Sequence, residues 1–429
     1  MTVVDQQYRY LAHSAVTSAS GRAAVDLETT GGCGDHPVLA HGFVEHPLVT
    51  ARALLLVAKV AATRFWTPPN MVAAAIQAAD PVVTSWPGGL RFESFSMCCG
   101  VYCRFDLDAG SFDGTIHQHG TTNVDVNPPL KAALAKVSAS DPLLIRVGHD
   151  ELAVSTLDGQ VIEKQVPLAE RWVRGFAEVA AAQSTLDPRL QLQPAGLRQF
   201  LTALPTAVDH SAGWISPSGT SARWSTRPTS GAVAAGGVAR LRVLRDIAPL
   251  LQSLTGFGEA ARRSTNGHAT TTAWVGEVPG GRFTLALSPG PARGFSGEGL
   301  LLQSVATGRG RRSGEHATLA QRLDEAARGR WGYDVAAAAW FARDLPFTRS
   351  SIERADGRLA NARALVLAGA VTVDRDGSSA LVTSGTDTYR VRNVDGGWRC
   401  TCPWWGKHGE SRGPCKHALA TAMQISSLA

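Results

Sequence analysis

Two short pairs of metal-ligating residues stand near the C-terminal end of this 429-residue chain, Cys400-Thr401-Cys402 and Cys415-Lys416-His417, with twelve residues between them. Residues two apart on an extended strand point to the same side, so Cys400 and Cys402 can face one ion. Ala418 to Met423 follows the second pair directly and has strong helix propensity, which places Cys415 and His417 at a helix start. Three thiolates and one imidazole are the four ligands of a closed tetrahedral zinc site, with no position left for water. The expectation is one structural zinc held by Cys400, Cys402, Cys415 and His417. Pro403 and Pro414 bracket the intervening loop, Gly406, Gly409 and Gly413 let it fold back, and His408 inside it is a substitute ligand.

The elements that must position these ligands are a strand pair and a helix. Tyr389 to Trp398 reads as two strands across Asp395-Gly396-Gly397, delivering the first cysteine pair in extended chain. The pattern Cys400-x-Cys402, twelve residues, Cys415-x-His417 resembles the SWIM zinc finger, whose signature is CxC and CxH on a strand-strand-helix frame. Tyr389-Arg390-Val391, Cys400 to Pro403 and Cys415 to Ala418 carry that resemblance, which covers about residues 385–425. It implies zinc at the same four residues and a role in binding DNA or protein partners. The whole chain is also similar to bacterial SWIM-domain proteins, some encoded beside MoxR-type ATPases and von Willebrand A proteins.

Three of the seven cysteines fall in the last thirty residues, so a disulfide framework is not expected. Cys98, Cys99 and Cys103 ahead of His117 and His119 allow a second metal site to be drawn, although Cys98 and Cys99 would face opposite sides of a strand. Cys33, His36 and His41 form a looser set. Charge is uneven: residues 1–222 balance at -5, residues 223–330 at +8 and residues 331–429 at +3. Every base in the middle segment is arginine, whose fork can hold phosphates bidentately. Around the zinc ligands, Arg399, Lys407, Arg412 and Lys416 stand beside Trp398, Trp404 and Trp405, so nucleic-acid contacts are assigned to those four bases.

The fold class is α+β and multidomain, divided into an N-terminal α+β domain at 1–185, a basic α+β region at 186–330, a helical region with a hairpin at 331–384, and the zinc finger at 385–429. Helices are expected at Val49 to Arg64, Leu168 to Ala182, Pro194 to Leu204, Val238 to Leu254, Leu319 to Ala327, Val335 to Ala342 and Leu359 to Ala368. Pro228 to Gly237 reads as a loop, and the helices ahead of the hairpin at residues 370–383 have winged-helix order. No apolar run approaches a membrane span and no secretory signal is visible, which points to the cytoplasm. GxSxG, GxxxxGK[ST] and HExxH are all absent, so a non-enzymatic role is expected. Two readings remain: a DNA-binding module, or a protein-protein adaptor, with an ATPase system among its candidate partners.

Overall fold

The computed structural model describes residues 38–65, 81–123, 126–149, 151–164, 170–206, 212–227, 231–259, 270–290, 294–296, 299–308, 310, 318–343, 345, 357–409 and 412–428, and the backbone of a hairpin at 15–19 and 22–26. Nine α-helices are described: α1 (Pro47–Ala62), α2 (Pro128–Lys136), α3 (Glu170–Gln183), α4 (Pro194–Ala203), α5 (Leu300–Thr307), α6 (Leu319–Ala327), α7 (Gly357–Leu367), α8 (Pro403–His408) and α9 (Lys416–Leu428). No helix among the described residues is long and apolar enough to cross a membrane.

An eight-stranded antiparallel sheet dominates, in the order 187–192, 253–258, 272–278, 281–287, 101–108, 89–95, 82–86, 120–123. Its central strands are buried along almost their whole length because both faces are covered. One face presents Leu90, Phe92, Val101, Phe105, Leu107 and Phe283 to a core shared with α1. The opposite face divides in two. Phe95 and Tyr102 form an aromatic cluster with Trp172, Phe176 and Phe295, ring centroids 5.0–6.4 Å apart. Beside it lie Arg91, Glu93, Arg104 and Asp106, all buried and charged.

Those charges are matched by the hairpin of strands Trp331–Asp334 and Ala339–Ala342. Arg104 reaches Asp106 and Asp334, both at 2.9 Å, and Arg282 reaches Asp334 at 2.6 Å. Arg343, just past the hairpin, holds both Glu93 oxygens at 2.5 and 2.7 Å, while Tyr102 donates to the same carboxylate. The Phe341 ring lies under Arg91, 3.8 Å from its guanidinium carbon, a cation–π contact inside the protein. The hairpin thus replaces the helix expected at Val335 to Ala342. Alanine favours helix, but Asp334 caps the turn by accepting from the Ala336 and Ala337 amides, and Tyr333 packs on Trp340 across the pair.

The helix expected at Val238 to Leu254 is a 3-10 helix at Val238–Asp246 followed by the strand Ser253–Gly258. Its apolar residues Val238, Leu241, Leu244 and Ile247 recur every three residues, the 3-10 period, and Pro249 disfavours continuation. Within the stretch read as a loop, Val233–Gly236 is a strand paired to the 212–218 strand. The basic middle is also less available than its charge suggests. Arg240 is buried and donates to the Gly100, Gly236 and Ser288 carbonyls, and Arg245 donates to those of Leu201 and Thr202.

The last element is a four-stranded antiparallel sheet, 371–373, 379–384, 387–394, 397–400. The hairpin at 371–384 and the strands that carry the first cysteine pair are one sheet, with α9 laid across its inner face. The core beneath α9 runs without a break through α7 and α5 to the aromatic cluster on the large sheet.

Candidate metal centre

The 397–400 strand alternates Trp398 and Cys400 inward with Arg399 outward, so strand periodicity alone aims the first thiol at α9. The chain then turns at Cys402, which caps α8: Pro403 occupies the first helical position and the Trp405 amide donates to Cys402 Sγ at 3.4 Å. The segment read as a plain loop therefore contains a short helix. Cys415 does the equivalent at the start of α9, accepting from the Ala418 amide at 3.4 Å. Backbone N–H groups thus point at two of the three sulfurs, favouring their ionised form. The pairing of Cys402 with a following proline is the sequence signal that could have exposed the α8 cap.

Cys400, Cys402, Cys415 and His417 are all buried, and their ligand atoms lie within 4.8 Å of one another. His417 turns Nδ1 to the sulfurs, 3.8 Å from Cys400 and 4.0 Å from Cys415. A tetrahedron with Zn–S bonds of about 2.3 Å has edges of about 3.8 Å, so the spacing fits a zinc at the centre. The imidazole packs against the Tyr389 ring, centroids 4.5 Å apart, and one turn on in α9 the Thr421 hydroxyl donates to the His417 backbone carbonyl.

The electrostatics point the same way. The hydrogen bond shared with Cys400, assisted by His417 and the Ala418 amide, lowers the Cys415 pKa to about 4 despite burial. The same bond and then burial push Cys400 up, and burial raises Cys402. Three crowded sulfurs cannot all be ionised unaided; a divalent cation between them would permit it.

The centre is anchored to the rest of the chain. Trp398, buried, donates from Nε1 to the Ala306 carbonyl of α5 at 2.8 Å. Arg358 of α7 donates to the carbonyls of Arg412 and Pro414 at 2.6 and 2.9 Å, and its guanidinium lies 4.9 Å from the Trp404 ring centroid. Trp398 is therefore a core residue, and Trp404 packs between Arg358 and His408, whose ring is 5.0 Å away. His408 is not part of the ligand cluster.

The four bases assigned from sequence do not form one set. Arg399 is exposed on the sheet face opposite Cys400, Lys407 is exposed in the last turn of α8, and Arg412 and Lys416 are half-buried beside the ligands. Among the described residues the four zinc ligands form the sole cluster of this kind. Cys103 is buried in the core under the large sheet, where burial pushes its thiol up, and Cys99 has a left-handed backbone, φ 52°. Neither joins Cys98, His117 or His119 in a site. Of the looser set, Cys33 and His36 lie outside the described residues, and His41 sits in the 38–44 strand.

Residues 389–425 match the SWIM zinc finger family, and they carry its strand-strand-helix frame with all four ligands in place. This module of the chain is a SWIM zinc finger, with a Cys3His site for one structural zinc. No curated protein sequence matches the chain. Similar solved structures include the proliferating cellular nuclear antigen of Entamoeba histolytica, at 10% identity and a TM-score of 0.38, covering 59% of this chain and 99% of that one. The PCNA2–PCNA3 complex of Sulfolobus tokodaii gives 10% and 0.41, covering 58% and 98%. A PCNA of A. fulgidus bound to the C-terminal region of FEN-1 gives 12% and 0.38, with the same coverage.

Proposed function

We propose that the chain is a non-catalytic, zinc-stapled nucleic-acid-binding protein acting on DNA through its C-terminal module. The observation that supports this most is the disposition of charge on the zinc finger: Arg399 and Lys407 are exposed and make no ion pair among the described residues, whereas arginines of the middle segment such as Arg240 and Arg282 are turned inward to carbonyls and carboxylates. Exposed unpaired cations are free to displace counterions from a phosphate backbone. Four protein donors fill the zinc shell, which suits a structural rather than a hydrolytic ion. A reducing cytoplasm, where thiols stay available to metal, is the compartment proposed with it.

Duplex DNA binding by the full chain at 50 and 200 mM salt tests the reading. Affinity should fall steeply with salt, and Arg399→Ala/Lys407→Ala should weaken it and flatten the dependence. No binding at low salt would overturn the proposal and leave the protein-adaptor reading.

A further inference from the structure

The outer face of the four-stranded sheet, turned away from the zinc and α9, is built unlike a face selected for stability. Strand alternation places Thr372, Leu381, Thr383, Thr388, Arg390, Arg392 and Arg399 on it, all exposed. Across the ladder Leu381 stands opposite Arg390, and Arg392 stands opposite Arg399. Like charges directly opposite on neighbouring strands repel, with Cβ atoms only about 5 Å apart. The acidic residue in line with them is Asp374 at the far edge, which accepts from the Ser379 hydroxyl. None of the three arginines has an ion-pair partner among the described residues, in contrast to Arg91, Arg104 and Arg343 in the interior.

We infer that this face is the surface on which the phosphate backbone of duplex DNA lies, with Arg390, Arg392 and Arg399 as its contacts. The inference rests on the nucleic-acid reading above and locates the contact away from the zinc ligands. Arg390 and Arg392, two apart on one strand, are spaced about 6.6 Å, and Arg392 and Arg399 face each other across the ladder, so three guanidinium forks converge on one strip. Arginine forks match phosphate oxygens bidentately, and the neighbouring hydroxyls of Thr388 and Thr401 are the donors that commonly accompany them. The repulsion between Arg392 and Arg399, unrelieved in the free protein, is relieved when a polyanion lies over both. Such contacts carry no base information, so the surface binds without sequence preference. The signal was legible in the period-two spacing of Arg390 and Arg392, and the two-residue turn at Asp395-Gly396 brings Arg399 opposite Arg392.

The test is duplex binding by the full chain carrying Arg390→Gln/Arg392→Gln, measured on two unrelated sequences at 50 and 200 mM salt, with zinc content and circular dichroism checked. Both residues are exposed, so the fold and zinc content should be retained. Each lost phosphate contact lowers the log–log salt slope by about 0.9, so the loss of affinity between the two salts should be roughly tenfold smaller than for the wild type, equally on both sequences. Wild-type binding with an unchanged slope in the variant would overturn the assignment of this face while leaving the nucleic-acid reading intact. Absence of wild-type binding would overturn both. Equal competition by polyglutamate at matched charge would show an acidic peptide to be the partner and also overturn the inference.

Discussion

Replacing Asp334 by asparagine removes the carboxylate that ties the 331–342 hairpin to the large sheet. That carboxylate accepts from Arg104 at 2.9 Å, from Arg282 at 2.6 Å, and from the Ala336 and Ala337 amides at 3.0 and 3.1 Å. Burial pushes its pKa up, but Arg104, then Arg282 and the Ala337 amide, outweigh that and hold it at about 2 against the ordinary 3.8. At about 1.4 kcal/mol per pH unit the difference is worth roughly 2 kcal/mol. Because the folded value is depressed, this stabilisation is complete above pH 4 and is lost as pH falls towards 2, with about half gone by pH 3. Asp334→Asn leaves the buried Arg104 with Asp106 alone, so the loss at pH 7 should be about 3 kcal/mol, the low end for breaking a buried pair. Urea unfolding at pH 7 and pH 3 reads both quantities, and the gap between variant and wild type should narrow by about 1 kcal/mol at the lower pH. A loss under about 1 kcal/mol at pH 7, or a gap equal at the two pH values, would refute the reasoning.

Trp398→Phe keeps the ring in the core but strands the Ala306 carbonyl, so the zinc module should lose about 1–2 kcal/mol of stability in chemical unfolding with zinc content unchanged. His417→Ala, or a strong chelator, should abolish proteolytic resistance from about residue 357 to 428 while the large sheet stays protected, because Ala418 and Leu419 pack in the same core as Leu359 and Ala362 of α7. Limited proteolysis with mass mapping reads the boundary.

The metal centre was largely legible because its information is local: ligand spacing, strand alternation and the helix start at Lys416 all lie within thirty residues. What escaped depended on distant partners. Nothing near Val335 to Ala342 announces that Asp334 will be taken by Arg104 and Arg282, contacts 230 and 52 residues away in sequence. The three-residue spacing of Val238, Leu241 and Leu244 suits both a 3-10 and an α-helix, and the buried fork of Arg240 helps fix the outcome. The excess of arginine at 223–330 read as a polyanion surface for the same reason, since composition does not distinguish a guanidinium turned to solvent from one turned to carbonyls. Helix α5 is not among the helices expected from sequence, yet it supplies the Ala306 carbonyl that receives Trp398.

Zinc stoichiometry tests the central claim most directly. Full-length protein dialysed against buffer without metal and analysed for its elements should carry one zinc per chain, and Cys402→Ser should carry far less under the same dialysis, because a three-ligand shell is open to water and exchange. One zinc in both proteins would contradict the ligand assignment. None in the wild type would contradict the metal centre itself.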